Sequence, residues 1–350
     1  MAGDNWDDLA NNLASDLAPI LQLFGEQVTK QFFSQSTSVL DSVIFAMAPL
    51  GVLTAAVSVI RVCGGPVLRA FIGRAQEGAN VAEVELCSST GIDVCELYQN
   101  GGITRVFGDP VLLEVVHNPH SVRSHGRREW VRLKPWSWPW KRSTVSIEDG
   151  TEPKSNALTT NPNLMLNIAI RRQPPAVRWT MAVFSTMLQG SVIAFAILTI
   201  RHMKLKKADT VPQLWALHSM VFGTVFLCTG MFLCSFLIER STEERIFKRC
   251  RGNSPKSITY WIQPGGQKVG DHSFDSFAHD DKDRPITEYI TSWRKMSSSK
   301  DGRMTTLAVT ITMLGFVLQF VGLRALHASV SLYQLFAVLL MSIFRALLRK

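Results

Sequence analysis

Two stretches of the chain hold side chains that could bind a metal ion. His117, His120 and His125 lie close together in sequence, and imidazole nitrogen is a common zinc ligand. No cysteine stands near them at zinc-site spacing, so the sequence predicts no zinc centre there. The second stretch mixes aspartates with histidines: Asp271, His272, Asp275, His279, Asp280, Asp281 and Asp283. Because it lacks the glycine and the terminal glutamate of a calcium-binding EF-hand loop, we interpret it as a solvated loop.

The sequence carries no local motif for covalent or nucleotide chemistry. The Gly265-Gly266 pair is followed neither by the lysine of a phosphate-binding loop nor by the glycines of a dinucleotide fingerprint. No short pattern marks a nucleophile with its histidine. The cysteines show no framework spacing and are interpreted as reduced thiols: Cys63, Cys87, Cys95, Cys228, Cys234 and Cys250. We therefore predict no catalytic residue, no cofactor and no bound metal.

Some polar side chains stand inside long apolar runs: His218, Gln189, Gln319 and Gln334. Ionisable groups in such runs commonly mark ion or proton pathways, whereas glutamines there commonly hydrogen-bond between helices. The set therefore has two interpretations, the lining of a solute path or contacts between helices. Glycines that recur at a spacing of seven favour close packing of helices: Gly223 with Gly230, and Gly315 with Gly322.

Residues 120–142 interleave basic and tryptophan side chains: Arg123, Arg127, Arg128, Trp130, Arg132, Lys134, Trp136, Trp138, Trp140, Lys141 and Arg142. Pro135 and Pro139 prevent a regular helix there. Tryptophan prefers the headgroup region, and each basic residue near an anionic leaflet contributes about 1 kcal/mol of binding free energy. We interpret the stretch as a membrane-interface anchor. The alternative is a solvated linker, and nucleic-acid binding, which uses the same residue types, is not predicted.

Five runs that contain no charged residue are long enough to set the fold: Val43–Ile60, Trp179–Ile200, Leu214–Ile238, Met304–Leu323 and Leu326–Phe344. A helix needs roughly 20 apolar residues to cross a bilayer core, because lipid offers its backbone no hydrogen-bond partner. The first run is the shortest, and Pro49-Leu50-Gly51 lies near its middle. It therefore has two interpretations, a spanning helix or a re-entrant segment.

The composition is the average of two populations. Charged residues make up 19% of the 350 residues, below the roughly 25% of ordinary soluble domains. The 246 residues outside the five runs carry all 65 charges, which is 26% of them. The polar segments therefore resemble soluble domains, and the 46% of hydrophobic residues excludes long disorder as the main state.

Charge near the ends of the runs predicts the orientation. The first 42 residues have six acidic residues against Lys30 alone. The positive-inside rule places this end outside and residues 61–178 and 239–303 in the cytosol. Arg201, Lys204, Lys206 and Lys207 disagree, because the same rule leaves their short loop outside. If the first run is re-entrant, the N-terminal end moves inside and the rest is unchanged. If the first run crosses and the second does not, the disagreement at the basic loop disappears. No secretory signal peptide is predicted.

The polar segments have their own predicted elements. Apolar residues recur at every third or fourth position over 9–32, which predicts a helix that packs on its own protein or docks a protein partner. Strands are predicted at Val81–Cys87, Val111–Val116 and Leu164–Ile170, and a short helix at Ile92–Gln99. Ile258–Gln263 and Lys268-Val269, joined by Pro264-Gly265-Gly266, read as a β-hairpin. We hypothesise that both long loops form one composite cytosolic domain.

Five blocks carry a resemblance to a known group: LAPILQLFGEQVTKQF (17–32), APLGVLTAAVSVIRVCGGPVLRAFIGRAQEG (48–78), ELCSSTGIDVCELYQNGGITRVFGDPVLLEVVH (85–117), YWIQPGGQKVGD (260–271) and FVGLRALHASVSLYQL (320–335). The chain resembles uncharacterised multi-pass membrane proteins of filamentous fungi, some of which carry ankyrin-repeat extensions. The resemblance implies a short or truncated member in the plasma or an internal membrane of a fungal cell. It implies no activity and no catalytic residue.

The sequence thus predicts an α-helical polytopic membrane protein with about five transmembrane helices plus a small cytosolic α/β region built from the long loops. Its predicted parts are an acidic helix region (1–42), the first span (43–60), the α/β region (61–178), a hairpin of spans (179–238), a loop with a β-hairpin (239–303), a second hairpin (304–344) and a basic tail (345–350).

The predicted function is that of a non-enzymatic membrane-anchored scaffold or signalling and interaction protein. One alternative is a passive channel or small-solute transporter. A second is a membrane enzyme with an unrecognised site in a loop. The predicted partners are a bilayer with an anionic inner leaflet and a protein at the 9–32 helix; no nucleic acid is predicted, and the oligomeric state is left open.

Overall fold

The computed structural model divides the chain into two compact units. A helical unit holds Met1–Cys87, Arg172–Ser241 and Met296–Lys350, and a strand unit holds Ser88–Arg171 and Thr242–Lys295. The structure describes residues 25–36, 38–90, 94–108, 112–117, 130–133, 163–169, 173–203, 214–249, 258–269, 272–283, 286, 288–295 and 299–348.

Four helices of the helical unit are long and apolar enough to cross a membrane. Numbered in chain order after five shorter helices, they are α6 (Pro175–Leu198), α7 (Leu214–Ser241), α8 (Ser299–Ala325) and α9 (Ala328–Leu348). Their membrane-length segments have 20 to 28 residues, and roughly 20 suffice. The last four predicted spans are therefore confirmed as helices of membrane-spanning length and composition.

Large apolar side chains face outward on each of these helices. Met187 on α6 is 70% exposed, Phe222 on α7 56%, Phe320 on α8 53% and Phe336 on α9 57%. Water disfavours contiguous apolar surface of this kind, whereas lipid tails are as apolar as the side chains themselves. The outward faces therefore suit a membrane-embedded protein.

The first predicted span, residues 43–60, is not one helix. It is divided between α2 (Val39–Ala46) and α3 (Val52–Cys63). The break falls at Gly51, whose φ of 67° lies in the left-handed region that favours glycine. At 1.5 Å per residue the two helices are about 12 and 18 Å long, well short of a bilayer core. Of the five predicted spans, the described residues therefore contain four helices of membrane-spanning length, and residues 43–60 do not form a fifth.

α2 and α3 form a helical hairpin. It begins beside the last turns of α7 and returns to them. The Oγ atom of Ser42 on α2 donates to Oε2 of Glu239 at 3.0 Å and lies 2.9 Å from Oγ of Ser235. At the other end, Sγ of Cys63 donates to the backbone oxygen of Leu237 at 3.5 Å. Both outer ends thus lie beside the last turns of α7, in agreement with the re-entrant alternative for this segment.

α7 and α8 pack antiparallel with their backbones in close approach. A Cβ atom added at Gly230 of α7 would lie only 2.6 Å from the backbone nitrogen of Thr312 on α8. The other glycines of the seven-residue spacing also face backbone atoms of the opposite helix: Gly223, Gly315 and Gly322. Small residues allow this approach between membrane helices. The close packing predicted from the spacing is confirmed.

Three shorter helices complete the described part of the helical unit: α1 over residues 25–35, α4 (Pro66–Phe71) and α5 (Ala79–Leu86). Phe32 and Phe33 of α1 are 7% and 2% exposed. Each ring lies 4.9 Å from the ring of Phe45 on α2, measured between centroids. This part of the predicted 9–32 helix therefore packs on its own protein.

The strand unit is built from antiparallel pairs. Its strands are β1 (Val94–Gln99), β2 (Gly102–Phe107), β3 (Leu113–His117), β4 (Trp130–Leu133), β5 (Thr242–Arg249), β6 (Ile258–Gln263), β7 (Gln267–Val269), β8 (His272–Phe274), β9 (Phe277–Asp280) and β10 (Glu288–Arg294). β5 lies between β4 and β10, β6 lies between β3 and β9, β1 pairs with β2, and β7 pairs with β8.

The two long polar segments fold together in this unit. β3 and β4 precede α6, and their partners β6 and β5 follow α7. Strands from both long loops therefore pair within one compact unit. The expected α/β character is not found, because the described residues of the unit form strands and a short π-helix (Met165–Ala169).

Two predicted strands are helical instead. Val81–Cys87 falls on α5, where the buried Ala82 and Leu86 stand four residues apart on one helical face. The described part of Leu164–Ile170 contains the π-helix Met165–Ala169. Both segments are too short for apolar spacing alone to separate strand from helix.

The predicted helix over Ile92–Gln99 is strand β1 in its described part. Asn100 and Gly101 both have positive φ, at 48° and 85°, and join β1 to β2 in a tight hairpin. An Asn-Gly pair is a strong hairpin signal, since both central residues of that turn need positive φ. Here the turn residues outweigh the apparent helical spacing.

The hairpin predicted at Ile258–Gln263 has the correct first strand and the wrong partner. β6 pairs with β3 and β9, whereas β7 pairs with β8. The β7–β8 hairpin is thus inserted in sequence between β6 and β9, which pair with each other. Gln263 stabilises the insertion, because its Nε2 donates to the backbone oxygens of Tyr98 and Asp275, each at 2.9 Å.

Candidate functional site

The glutamines predicted within the apolar runs make contacts between helices. Nε2 of Gln189 on α6 donates to Oε1 of Gln334 on α9 across 3.4 Å, and both side chains are buried. Nε2 of Gln319 on α8 donates to Oγ1 of Thr224 on α7 at 3.0 Å. Hydrogen bonds of this kind contribute about 0.6–2 kcal/mol each to helix association. Each glutamine thus meets a partner inside the bundle.

His218 does not join these glutamines. Its side chain is exposed, and Nδ1 lies 2.8 Å from the backbone oxygen of Leu214, one turn earlier in α7. A solute path lined by His218, Gln189 and Gln334 would need all three side chains to face one space. The structure instead leaves the histidine exposed and pairs the glutamines with each other.

Most of the predicted interfacial stretch lies outside the described residues: Arg123, Arg127, Arg128, Trp136, Trp138, Trp140, Lys141 and Arg142. Trp130 and Arg132 belong to β4, where they lie opposite Arg249 and Phe247 of β5. These two positions are thus part of a sheet. Contact of the stretch with a membrane stays a prediction, and His120 and His125 also lie outside the described part of the chain.

The helical unit buries an arginine that the sequence placed in a basic tail. Arg345 on α9 is 4% exposed. Its Nη2 donates to the backbone oxygen of Phe45 at 2.8 Å and to that of Ala48, and its guanidinium carbon lies 5.1 Å from the Phe45 ring centroid. The last carbonyls of a helix have no partner within it and attract cations. Arg345 therefore closes the end of α2.

The spacing of buried residues on α9 explains why this arginine lies inside. Gln334, Ala337 and Met341 are buried and precede Arg345 at intervals of three and four. That spacing places all four on one helical face. The helix continues to Leu348, one turn beyond the predicted end of the last span. Extending the apolar spacing by that turn is the signal in the sequence that would have identified Arg345.

Where α3 ends, charged side chains from α1, α3, α5 and the segment between α4 and α5 form a network. Arg61 is 5% exposed; its Nη2 lies 2.6 Å from Oε1 of Glu77, and its Nη1 lies 2.5 Å from Oε2 of Glu85. Lys30 of α1 completes the network at 2.5 Å from Oε1 of Glu85. Burial alone would raise the pKa of Glu85, but hydrogen bonds and charge from Lys30 and Arg61 hold it below its usual range.

Asn163 lies at the centre of a buried hydrogen-bond network in the strand unit. Its Oδ1 accepts from the backbone nitrogen of Ser292 at 2.9 Å and from Oγ1 of Thr90 at 3.1 Å. Its Nδ2 donates to the backbone oxygen of Ser88 at 2.9 Å and to Oγ of Ser292 at 2.8 Å. An amide side chain offers two donors and one carbonyl, so all of its hydrogen-bonding groups are used.

A buried carboxyl lies on β1 of the same unit. The Glu96 side chain is 1% exposed, with Oε1 at 3.4 Å from Nε of Arg105, and Oε2 accepts from the backbone nitrogen of Met165 at 2.8 Å. Burial raises the pKa of Glu96, although Arg105 and the backbone hydrogen bonds oppose the shift. Raised carboxyl pKa values are typical of proton-transfer sites. Here, however, both oxygens face groups of the protein, and the contacts attach the π-helix to β1.

Chemistry-bearing clusters are few in the part of the chain that the structure describes. It contains no group of three or more His, Cys, Asp or Glu side chains that could hold a metal ion. In the acidic stretch, Asp280 accepts from the backbone nitrogen of Lys282 and Asp281 from that of Ile286, both at 3.2 Å. Those carboxylates stabilise their own turn, as is typical of aspartate in loops.

No protein-family model, no curated protein and no solved structure matches the chain. Function therefore has to be inferred from the contacts of the chain itself. Those contacts join helices to helices and strands to strands, and the polar groups that carry them have partners within their own unit.

Proposed function

We propose that the protein is a non-enzymatic, membrane-anchored interaction protein whose strand unit provides the binding surface. The pairing of β3 with β6 and of β4 with β5 carries the proposal. These strands come from segments before α6 and after α7. Two crossings, by α6 and then by α7, would return the chain to the side that it left. Both segments then share one side of the bilayer, and one folded unit forms from them.

We assign that side to the cytosol. Basic residues close to the ends of the helices support the assignment: Arg171, Arg172 and Arg178 before or within the first turn of α6, and Arg240 and Arg245 at the end of α7 and just after it. Lysine and arginine near span ends are enriched on the cytoplasmic side. The basic loop Arg201 to Lys207 opposes the assignment, and the two longer polar segments outweigh it.

The internal contacts of the bundle support anchoring over transport. A solute path needs polar groups that face a shared opening. Gln189 and Gln334 hydrogen-bond to each other, and Gln319 bonds to Thr224. The α7–α8 contact is closed by glycines that bring the two backbones together. A bundle of this kind holds its helices in fixed positions, as an anchor must.

We further propose two partners. Lipid with an anionic headgroup would contact the Trp- and Arg-rich stretch at 120–142. A protein would dock on the predicted 9–32 helix through residues that α1 does not bury against α2. The resemblance to multi-pass proteins of filamentous fungi supports placing the protein in the plasma or an internal membrane of a fungal cell.

The test is proximity labelling with the full-length chain in cells. Asn163→Ala removes the hydrogen bonds of this side chain to Ser88, Thr90 and Ser292, so it should open the strand unit while the helical unit keeps the protein in the membrane. We expect the labelled partner set to be lost. Gln189→Ala, which removes a single hydrogen bond in the bundle, is the matched control and should keep the partner set.

Limited proteolysis must show that the strand unit of Asn163→Ala has opened. An unchanged partner set in that opened variant would overturn the proposal. Solute flux in proteoliposomes tests the channel alternative, and we expect none above protein-free liposomes. Flux that appears with the wild-type chain and falls in Gln334→Leu would replace the interaction role with transport.

A further inference from the structure

Helix α4 exposes the two most solvent-accessible large apolar side chains among the described residues. Val67 is 82% exposed and Phe71 is 87% exposed. They stand four residues apart and therefore lie on one face of the helix. No residue of α4 is buried. A helix of six residues is about 9 Å long, so it cannot cross a bilayer, and lipid contact through a spanning segment does not explain this exposure.

The position of α4 relates it to the ends of the membrane-length helices. It follows α3 after Gly64 and Gly65. Cys63, just before, donates to the backbone oxygen of Leu237, four residues from the end of α7. A Cβ atom built on Gly302, in the first turns of α8, would lie 3.7 Å from the nitrogen of Gly65. α4 therefore begins at the level where α7 ends and α8 begins, which is the level of the lipid headgroups if these helices span.

The charge of residues 66–74 also suits a position among lipid headgroups. Residues 66–74 contain Arg69 and Arg74 and no acidic residue. Nε of Arg69 is buried and has no hydrogen-bond partner among the described residues. The Arg74 side chain is 55% exposed, and its Nη1 lies 3.8 Å from Oε1 of Glu77, a carboxylate that Arg61 also binds.

Arg69 is two residues from both Val67 and Phe71 and therefore lies on the opposite side of α4, and Arg74 follows the helix. A helix with apolar side chains on one face and basic side chains on the other is typical of segments that lie in the interface of an anionic membrane.

We propose that α4 is an interfacial helix that binds anionic phospholipid, with Val67 and Phe71 in the boundary between headgroups and acyl chains and Arg69 and Arg74 at the phosphates. The occupant of the exposed face is thus the lipid surface itself. The proposal rests on the membrane placement of α6–α9, and it adds a lipid contact that the spanning helices do not provide.

The experiment uses the full-length chain in nanodiscs, with an environment-sensitive dye on an introduced cysteine. Phe71→Cys is the test position, and Gln76→Cys, an exposed polar position nearby, is the matched control. Met187→Cys, on the outward face of α6, reports membrane placement alone. Wild-type protein treated with the same dye gives the background from native cysteines. Nitroxide-labelled lipid quenches dye in the bilayer, and iodide quenches dye in water.

We expect lipid nitroxide to quench the dye at position 71 several-fold more than iodide does, and the reverse at position 76. Phosphatidylserine in the nanodisc should strengthen lipid quenching at position 71 over phosphatidylcholine alone. Replacing Arg69 and Arg74 together by glutamine should remove that difference and leave position 76 unchanged.

Two results would overturn the assignment of α4. One is iodide quenching at position 71 equal to that at position 76 in both lipids. The other is protection of position 71 from both quenchers, which assigns the face to a protein contact. A failure of lipid quenching at Met187 would instead contradict the membrane placement, so the two proposals fail separately.

Discussion

The helical unit and the strand unit hold their backbones together in opposite ways. Each helix satisfies its own backbone, so only side chains and close backbone approach decide which helices meet. In the strand unit, β3 and β4 precede α6 in sequence, and their partners β6 and β5 follow α7. Loss of one side-chain contact between helices should therefore remain local, whereas loss of a contact between polar segments should open the strand unit as a whole.

The largest loss of stability is expected at the α7–α8 contact, where the two helix backbones leave no space for a side chain. Gly230→Leu forces a side chain into the backbone of Thr312, which already lies 2.6 Å from the position of a Cβ. Overpacking of this kind costs about 3 kcal/mol or more of stability. Thermal unfolding in detergent should show a much lower midpoint. The matched control is Gly190→Leu on α6, where a Cβ meets nothing within 4 Å. Equal losses in both variants would contradict the role of the α7–α8 contact.

The sequence predicts the helical unit well because its determining signals are local. A run of 20 uncharged residues and a seven-residue glycine spacing each lie within one helix. A span that ends at the first charged residue excludes Arg345, although the spacing of buried residues continues through it. Pro49 and Gly51 indicate a break in the first span, whereas nothing in the sequence indicates its return to α7.

The strand unit is predicted poorly because its determining contacts are remote. Nothing near Ile258–Gln263 indicates that this strand pairs with Leu113–His117. Asn163 was not singled out at all, and its role depends on Ser88, Thr90 and Ser292, which only the fold brings together. The Asn100-Gly101 turn is the exception, since that signal was local and was overlooked.

The next effect is expected at Asn163 of the strand unit. Asn163→Ala leaves buried donors and acceptors on Thr90 and Ser292 without this partner, and an unsatisfied buried polar group costs about 1–3 kcal/mol. Hydrogen exchange should rise across β10 and β5 together, whereas the α7–α8 contact stays protected. Lys268→Ala, at an exposed position of the same unit, is the control. Faster exchange confined to residues beside Asn163 would contradict the cooperative opening of this unit.

A smaller and more local effect is expected at Arg345. Arg345→Met removes one of the donors to the carbonyls of Phe45 and Ala48, but it also removes a buried charge, which offsets part of the loss. A net change of about 1 kcal/mol corresponds to roughly fivefold more frequent opening of α2. A cysteine placed at the buried Ala46 should react with maleimide faster by that factor. The exposed Arg324, changed to methionine, is the control and should leave the rate unchanged.

The smallest effect is expected from two carboxyl groups, those of Glu85 and Glu96. Their pKa values are shifted in opposite directions from 4.5. The pKa of Glu85 is lowered by Lys30 and Arg61, so its contribution is present above pH 4.5 and is lost as the pH falls through the lowered value. The pKa of Glu96 is raised by burial, so its contribution is present below pH 4.5 and is lost as the pH rises through the raised value.

Acidification should therefore first stabilise the strand unit around β1 and then, at lower pH, loosen the contact of α3 with α5. Hydrogen exchange measured as a function of pH over both segments gives the two responses in one experiment. Glu96→Gln should abolish the first response and Glu85→Gln the second, each without changing the other. If both segments respond with the same sign in the wild-type chain, the two carboxyl groups do not differ in the way that their surroundings require.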